Sequence, residues 1–485
     1  MTNRDTKKKL SYGLIPSAGK GSRAYPYTAD SHKCMLDING KPNILRIIEL
    51  MRDELEINEI VIIIGYMGDS IRDYFGDGSD FNVTLHYVEN TELDKGLAWS
   101  VLLAQNFIND YFCIMLCDES YIRSNHSQLL TFPFKDALFT CAGLHVDYVE
   151  LIKQNYAIEY NGDNLVSLHE KPKIIINDIM GSGTFISSPD IFEYLQEAFK
   201  ATSDYVDFVS FLNDLLQCHP GKLFLLHGSY VNINNRDSIH LAKYHDRDRC
   251  FDQYKKALLI LSEGDEENIS FTIERYRKIQ VFDRIFIAVP HENSISTVLS
   301  DEDIELIVCP ENCFLYGEKQ HYAIQQIDQD IIVTVEADYS FANRDVFKLL
   351  TYLRDADVVI GTRTTRQLIE QGSDMRGSVR FAQLFLGKLI ELLWWSREAR
   401  FTDVGCTFKI LWRSSYRQIM NEITHPGVEY CAEFLIACLE KRLRVIEVPV
   451  NYFNRSTSLN RAYRKSSSFL SILKLIFKKR IQTLI

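Results

Sequence analysis

Gly13-Leu14-Ile15-Pro16-Ser17-Ala18-Gly19-Lys20-Gly21-Ser22-Arg23 is the stretch from which the fold of the first half of this chain is read. Residues 13–16 follow a basic start and form a short apolar run, the pattern of a buried strand. The run then breaks into a turn that carries Gly19 and Gly21. Without a Cβ, glycine lets backbone N–H groups turn inward and approach an anion closely. Arg23 and, further on, Lys33 add fixed cations where phosphate charge would sit. The spacing matches neither the dinucleotide fingerprint nor the P-loop.

Outward from this loop, residues 42–55 begin with a proline and repeat apolar side chains at three and four, which predicts a helix. Residues 61–64 are a β-branched run ended by Gly65, residues 83–88 alternate, and residues 111–116 form another apolar run. Strands alternating with helices predict a mainly parallel sheet with helices on both faces. A second series begins near Lys256, with strands expected at 258–261, 284–289, 304–308, 331–335 and 358–360. Residues 240–256 are dense in charge and hold no Gly or Pro, so they read as an exposed helix between the two series. The expected division is a first domain at 1–245, a linker at 246–256, a second domain at 257–465 and a tail at 466–485.

With 485 residues, the chain exceeds one ordinary core. Its 46% hydrophobic and 25% charged residues fit a folded soluble protein rather than a disordered or membrane-spanning one. A net charge of −11 argues against nucleic acid as a partner. The cysteines show no paired spacing and no secretory-type apolar stretch opens the chain, so reduced thiols in the cytoplasm are expected. Charge is unevenly spread: no acid follows Glu447, and from Arg455 onward there are eight Lys or Arg. Residues 469–481 place a broad apolar face opposite Ser471, Lys474 and Lys478. The tail is therefore either an interfacial helix drawn to an anionic membrane face or a terminal helix packed on its own domain.

The whole string Ala18-Gly19-Lys20-Gly21-Ser22-Arg23, then Pro26-Tyr27-Thr28, then Lys33-Cys34-Met35-Leu36 resembles the signature loop of the sugar-1-phosphate nucleotidyltransferases. The likeness continues in order through Lys95-Gly96-Leu97-Ala98, Cys117-Asp118, His169-Glu170-Lys171-Pro172, Gly181-Ser182-Gly183-Thr184-Phe185 and Tyr230-Val231-Asn232-Ile233-Asn234, over residues 10–245. It implies that a nucleoside triphosphate is held by Ala18, Gly19, Gly21 and Ser22, with Gly96 in the base-contacting turn. It implies Arg23 on the leaving pyrophosphate, Lys33 on the phosphates, and Glu170, Lys171 and Gly183 on a sugar 1-phosphate. Asp118 and Asn232 would bind Mg²⁺ or Mn²⁺. Asn232 stands where many relatives have Asp, and Leu97 where Thr or Ser is usual, which leaves the choice of base open.

In the second half, Glu336-Ala337-Asp338 ends an expected strand, and carboxylates so placed can turn toward one cation. Asp355-Ala356-Asp357-Val358-Val359-Ile360-Gly361-Thr362-Arg363, Asp403-Val404-Gly405-Cys406-Thr407-Phe408-Lys409, Glu447-Val448-Pro449-Val450 and Arg455-Ser456-Thr457-Ser458 follow. In this order the set resembles the polyprenyl-phosphate branch of the family-2 glycosyltransferases, over residues 255–465. That resemblance implies a metal at Glu336 and Asp338 and catalytic roles for Asp338 and Arg363, with Arg363 and Arg455 as the cations on an acceptor phosphate borne by a lipid. Together the two resemblances imply an α/β chain of two Rossmann-like (GT-A-like) domains in tandem. Residues 261–269 and 288–293 keep little of the branch's nucleotide-reading motifs. Two functions stay open: a bifunctional enzyme that makes a nucleotide-sugar and transfers the sugar to a lipid phosphate, or a nucleotidyltransferase with a non-catalytic module that binds a membrane or partner.

Overall fold

The computed structural model describes residues 9–485 apart from 22–23, 26, 30, 203, 263–265, 291–302, 311–312, 314, 372, 374, 376, 398, 428, 455–466 and 485. The chain divides into two compact units, Met1–Arg249 and Cys250–Ile485.

The first unit is built on strands β1 (Tyr12–Ser17), a short hairpin β2 (Asp37–Ile38) and β3 (Lys41–Pro42), β4 (Glu59–Ile64), β5 (Thr84–Glu89), β6 (Phe112–Met115), β7 (Glu119–Ile122), β8 (Phe139–His145), β9 (Tyr156–Asn161), β10 (Asn164–Glu170), β11 (Ile179–Ser187), β12 (Gly221–Leu226) and β13 (Ser229–Asn232). The main sheet has the order β5-β4-β1-β6-β11-β8-β12-β10-β9. β4 shows why the sheet is buried on both sides. Ile60, Ile62 and Ile64 enter one core cluster and Val61 and Ile63 another, because successive side chains point to opposite faces. Helix Asn43–Asp53 covers the first face with Ile44, Ile47, Ile48 and Met51. Helices Gly96–Leu102, Ile191–Thr202 and Phe208–Leu215 cover the second. The expectation of a mainly parallel sheet is corrected here. β5, β4, β1 and β6 are parallel, but β11 runs antiparallel to both β6 and β8, and β10 antiparallel to β12 and β9. Short connections such as the turn between β9 and β10 force antiparallel neighbours, since a parallel return needs a long crossover.

The segment expected as an exposed linking helix is a second correction. Helix Arg236–Asp248 is capped by Asn235 and Ser238 in a reciprocal capping box and closes the first unit. Its Asp246 is buried, pairing with Arg46 at 2.7 Å and accepting from Asn39 Nδ2 at 3.0 Å. The next strand already starts at Lys256.

The second unit holds β14 (Lys256–Leu261), β15 (Arg284–Val289), β16 (Ile304–Val308), β17 (Ile331–Glu336), β18 (Val358–Thr362), β19 (Lys409–Trp412) and β20 (Val445–Pro449), in the order β16-β15-β14-β17-β19-β18-β20. Only β19 runs against its neighbours. The C-terminal helix Ser467–Leu484 buries Ile472, Leu475 and Ile476 with Phe434 and Leu435 of helix Tyr430–Glu440. Its apolar stripe is therefore partly packed on its own unit. Lys479 Nζ pins it further, 2.8 Å from the buried carboxylate of Glu433 and 2.9 Å from the Glu422 carbonyl. No helix among the described residues is long and apolar enough to cross a membrane.

Candidate active site

β1 and β6 are parallel neighbours, so the glycine loop after Ser17 and the Cys117-Asp118 turn after Met115 leave the same end of the sheet. Open space lies where a Gly19 Cβ would be. Gly21 has φ +60°, and a Cβ there would meet Lys33 Cβ at 2.7 Å, so a glycine is what lets the loop rest on the Lys33 stem. Ser22 and Arg23 lie outside the described residues.

Lys33 is buried, and its ammonium donates to Asp118 Oδ2 at 2.5 Å and to Asn234 Oδ1 at 2.8 Å. Two hard oxygens thus converge on one cation position beside the loop. Asn234, rather than the expected Asn232, is the amide that meets this position. Asn232 stands one hydrogen bond behind, its Oδ1 accepting from Asn234 Nδ2 at 2.7 Å. The chain continues through Asn232 Nδ2 to Asn155 Oδ1 at 3.5 Å, and the Asn155 carbonyl accepts the Lys171 N–H at 2.7 Å. The Glu-Lys-Pro turn is thereby tied to the end of the site that carries the glycine loop, Lys33 and Asp118. Lys171 has φ +41°, and its ammonium meets Glu170 Oε1 at 3.1 Å. Burial raises the Glu170 pKa, partly offset by Lys171.

Glu119 carries no expected role, yet it organises the floor of the site. β7 and β13 pair so that Glu119 faces Asn232, and its buried carboxylate accepts Gly183 N–H at 2.9 and 2.8 Å, Tyr230 OH at 2.6 Å, and Tyr121 OH. Burial and then Asp118 push its pKa up to about 7, against those hydrogen bonds. A Cβ on Gly183 would meet Leu116 Cγ at 2.4 Å and Glu119 Oε2 at 2.7 Å, so this strand position holds only glycine. An acid directly after Asp118 in a strand-end motif was the one signal of this role in the sequence.

In the second unit, Glu336 ends β17 and Asp338 follows, with Asp338 Oδ1 accepting from Ser340 N at 3.1 Å and Ser340 Oγ at 2.6 Å. Arg363, expected to offer its fork to an acceptor phosphate, is buried and already bidentate on Asp403, at 2.8 and 2.9 Å. Burial disfavours its charge, but Asp403 outweighs burial and holds it protonated. Asp403 is itself held by Glu447, which accepts Asp403 N–H at 2.8 Å and both N–H and hydroxyl of Thr402. Arg363 is thus a structural strut here. Arg455 lies outside the described residues, and no group of three metal-type side chains gathers among the described ones.

The Nucleotidyl transferase family model matches residues 12–222, which span β1 to the start of β12 and hold the loop, Lys33, Asp118 and the Glu-Lys-Pro turn. Residues 12–222 are a nucleotidyltransferase domain. The chain is 30% identical over 214 residues, 43% of its length, to the bifunctional protein GlmU of Methanococcus maripaludis, and this match takes in 47% of that relative. It is 31% identical over 144 residues to the choline-phosphate cytidylyltransferase of Haemophilus influenzae, covering 29% of this chain and 58% of that one. A UDP-glucose pyrophosphorylase solved with UDP-glucose superposes with a TM-score of 0.43 at 22% identity, over 50% of this chain and 99% of that one. The chain spans about half the length of the curated relatives it matches first. The nucleotidyltransferase domain accounts for the first unit alone.

Proposed function

We propose that the first unit joins a sugar 1-phosphate to a nucleoside triphosphate and releases pyrophosphate. The convergence of Asp118 Oδ2 and Asn234 Oδ1 on one cation position, beside a glycine loop, carries this. The phosphate oxygen of the sugar 1-phosphate attacks the α-phosphorus, and pyrophosphate departs in line. Backbone N–H groups at Gly19 and Gly21 bind the triphosphate, Lys33 moves its charge from Asp118 to the phosphates, and Glu170 and Lys171 orient the sugar phosphate. Two protein oxygens suit Mg²⁺ or Mn²⁺ completed by substrate phosphates, and when bound such an ion supplies neutralisation of the triphosphate charge. The test is a screen of nucleoside triphosphates against sugar 1-phosphates, following pyrophosphate; no release with any pair overturns the assignment.

For the second unit we propose glycosyl transfer from that product to a lipid phosphate at an anionic membrane face. A phosphate acceptor is already ionised and needs no general base. Glu336 and Asp338 would hold the cation at the departing nucleotide diphosphate, and Arg455 would meet the acceptor. A membrane face is supported by a surface on two packed helices, Gly377–Leu393 and Ser467–Leu484, whose Phe385 and Phe469 rings lie 6.0 Å apart. Phe381, Leu392, Leu470, Phe477 and Ile481 are exposed there, as are Lys474 and Lys478. Radiolabelled product of the first unit, incubated with extracted lipid, should label the organic phase, and Asp338→Ala should abolish that label. No label with any lipid, together with binding to anionic vesicles, would favour the non-catalytic module instead.

A further inference from the structure

Tyr205 is a large aromatic side chain that fills no core. It stands between helices Ile191–Thr202 and Phe208–Leu215 and is 57% exposed. Its ring lies directly on Gly96, where φ is +78° and a Cβ would come within 2.6 Å of Tyr205 Cε2. Any other residue at 96 would push the ring away. The Tyr205 hydroxyl is 3.4 Å from Asp207 Oδ2, and Asp207 is itself fixed as the cap of the following helix, its Oδ1 accepting Ser210 N–H at 2.8 Å. The ring is thus held at one edge by backbone and at its tip by a capping carboxylate, while its body remains exposed. Helix Phe208–Leu215 packs against β10, with Asn213 Oδ1 accepting Leu168 N–H at 2.9 Å and Leu216 meeting Leu165 at Gly221. The start of this helix, just after Tyr205, therefore lies toward the Glu170 end of that strand. Burial raises the Tyr205 hydroxyl pKa, the carboxylates of Asp207 and Glu170 raise it further, and the Lys171 ammonium lowers it.

Building on the nucleotidyltransferase assignment, we propose that Tyr205 is a specificity-determining residue, its exposed ring forming the wall against which the organic group of the non-nucleotide phosphate rests. Gly96 lies behind the ring, and the helix that follows Tyr205 starts toward the strand end that carries Glu170. An aromatic face takes a C–H-rich surface, which the face of a pyranose offers and a quaternary ammonium also offers. The shared chemistry is a phosphomonoester carrying such a group. A ring that merely packed on Gly96 would affect fold and both substrates together. A wall for one substrate affects that substrate alone.

The experiment measures pyrophosphate release and calorimetric binding for the full chain, with UTP, dTTP, CTP, GTP and ATP crossed with glucose 1-phosphate, N-acetylglucosamine 1-phosphate and phosphocholine. For the productive pair, Tyr205→Ala is expected to raise KM for the phosphomonoester about tenfold or more, leaving kcat and the triphosphate KM within about twofold. Tyr205→Phe keeps the ring and should stay within about threefold of the unmutated chain. Which phosphomonoester responds separates a sugar face from a quaternary ammonium. An unmoved phosphomonoester KM in Tyr205→Ala, or equal rises in both KM values, overturns this inference alone. No turnover and no binding by the unmutated chain overturns it together with the nucleotidyltransferase assignment.

Discussion

Lys33 and Asp118 stand 85 residues apart in sequence and Lys33 and Asn234 201 apart, yet one ammonium holds both partners. Removing the carboxylate leaves a buried cation with one neutral acceptor and takes away a charged oxygen from the end proposed to bind the triphosphate. Asp118→Ala should therefore lower turnover by about a thousandfold, on the order of 4 kcal/mol in the barrier. Pyrophosphate release under saturating triphosphate checks this, with circular dichroism to confirm folding. Arg363 makes the opposite case. Its two bonds to Asp403 make it a strut, and an ammonium cannot keep both. Arg363→Lys should cost about 2 kcal/mol of stability, read as a shifted denaturant midpoint. Loss of sugar transfer with an unmoved midpoint would instead return Arg363 to the acceptor site. The glycine loop, Lys33, Asp118 and the Glu-Lys-Pro turn were all legible as ordered motifs. Asn234, Asn155, Glu119 and Tyr205 were not, because what each does depends on a partner brought near only by the sheet.

At the scale of elements, the C-terminal helix shows how one stripe serves two ends. Ile472, Leu475 and Ile476 face inward, while Leu470, Phe477 and Ile481 stay exposed. Its polar anchor is Glu433, which accepts from Thr424, from His425 N and Nδ1, and from Lys479 at 2.8 Å. Burial raises the Glu433 pKa, but the bonds from Lys479, His425 and Thr424 outweigh it and bring it down to about 2. A carboxylate with a depressed folded pKa adds stability that is complete above its unfolded value, about 4.5, and lost as pH falls through the folded value. Docking of the tail helix should therefore weaken between about pH 4.5 and pH 2, and Glu433→Gln should cost about 3 kcal/mol at neutral pH by leaving Lys479 without its charge partner. Hydrogen exchange of residues 469–483 against pH, in both forms, tests the sign. Periodicity alone had placed this helix and its basic edge; the depth of its burial came from the Glu433 pocket, which sequence spacing does not report.

For the whole molecule, each unit has its own core. The clusters around Ile15, Leu14 and Ile38 draw only on residues of the first unit, and those around Leu259 and Leu258 only on the second. A fragment of residues 1–249 should therefore unfold in one cooperative transition and keep pyrophosphate release within about twofold of the full chain. A fragment that aggregates or loses activity would show that the second unit completes the first. By itself the sequence determined the two α/β series, the positions of β1, β4 to β6 and β14 to β18, and the order of the motifs, because β-branched runs, helical spacing and glycine turns are local properties of neighbouring residues. Only the tertiary structure decided that the first sheet is mixed, that helix Arg236–Asp248 belongs to the first unit, that Asn234 meets Asp118 through Lys33, and that Arg363 is closed by Asp403. These depend on which distant strand ends lie side by side, and a hydrogen bond forms only where atoms come within about 3 Å, a distance no spacing along the chain encodes.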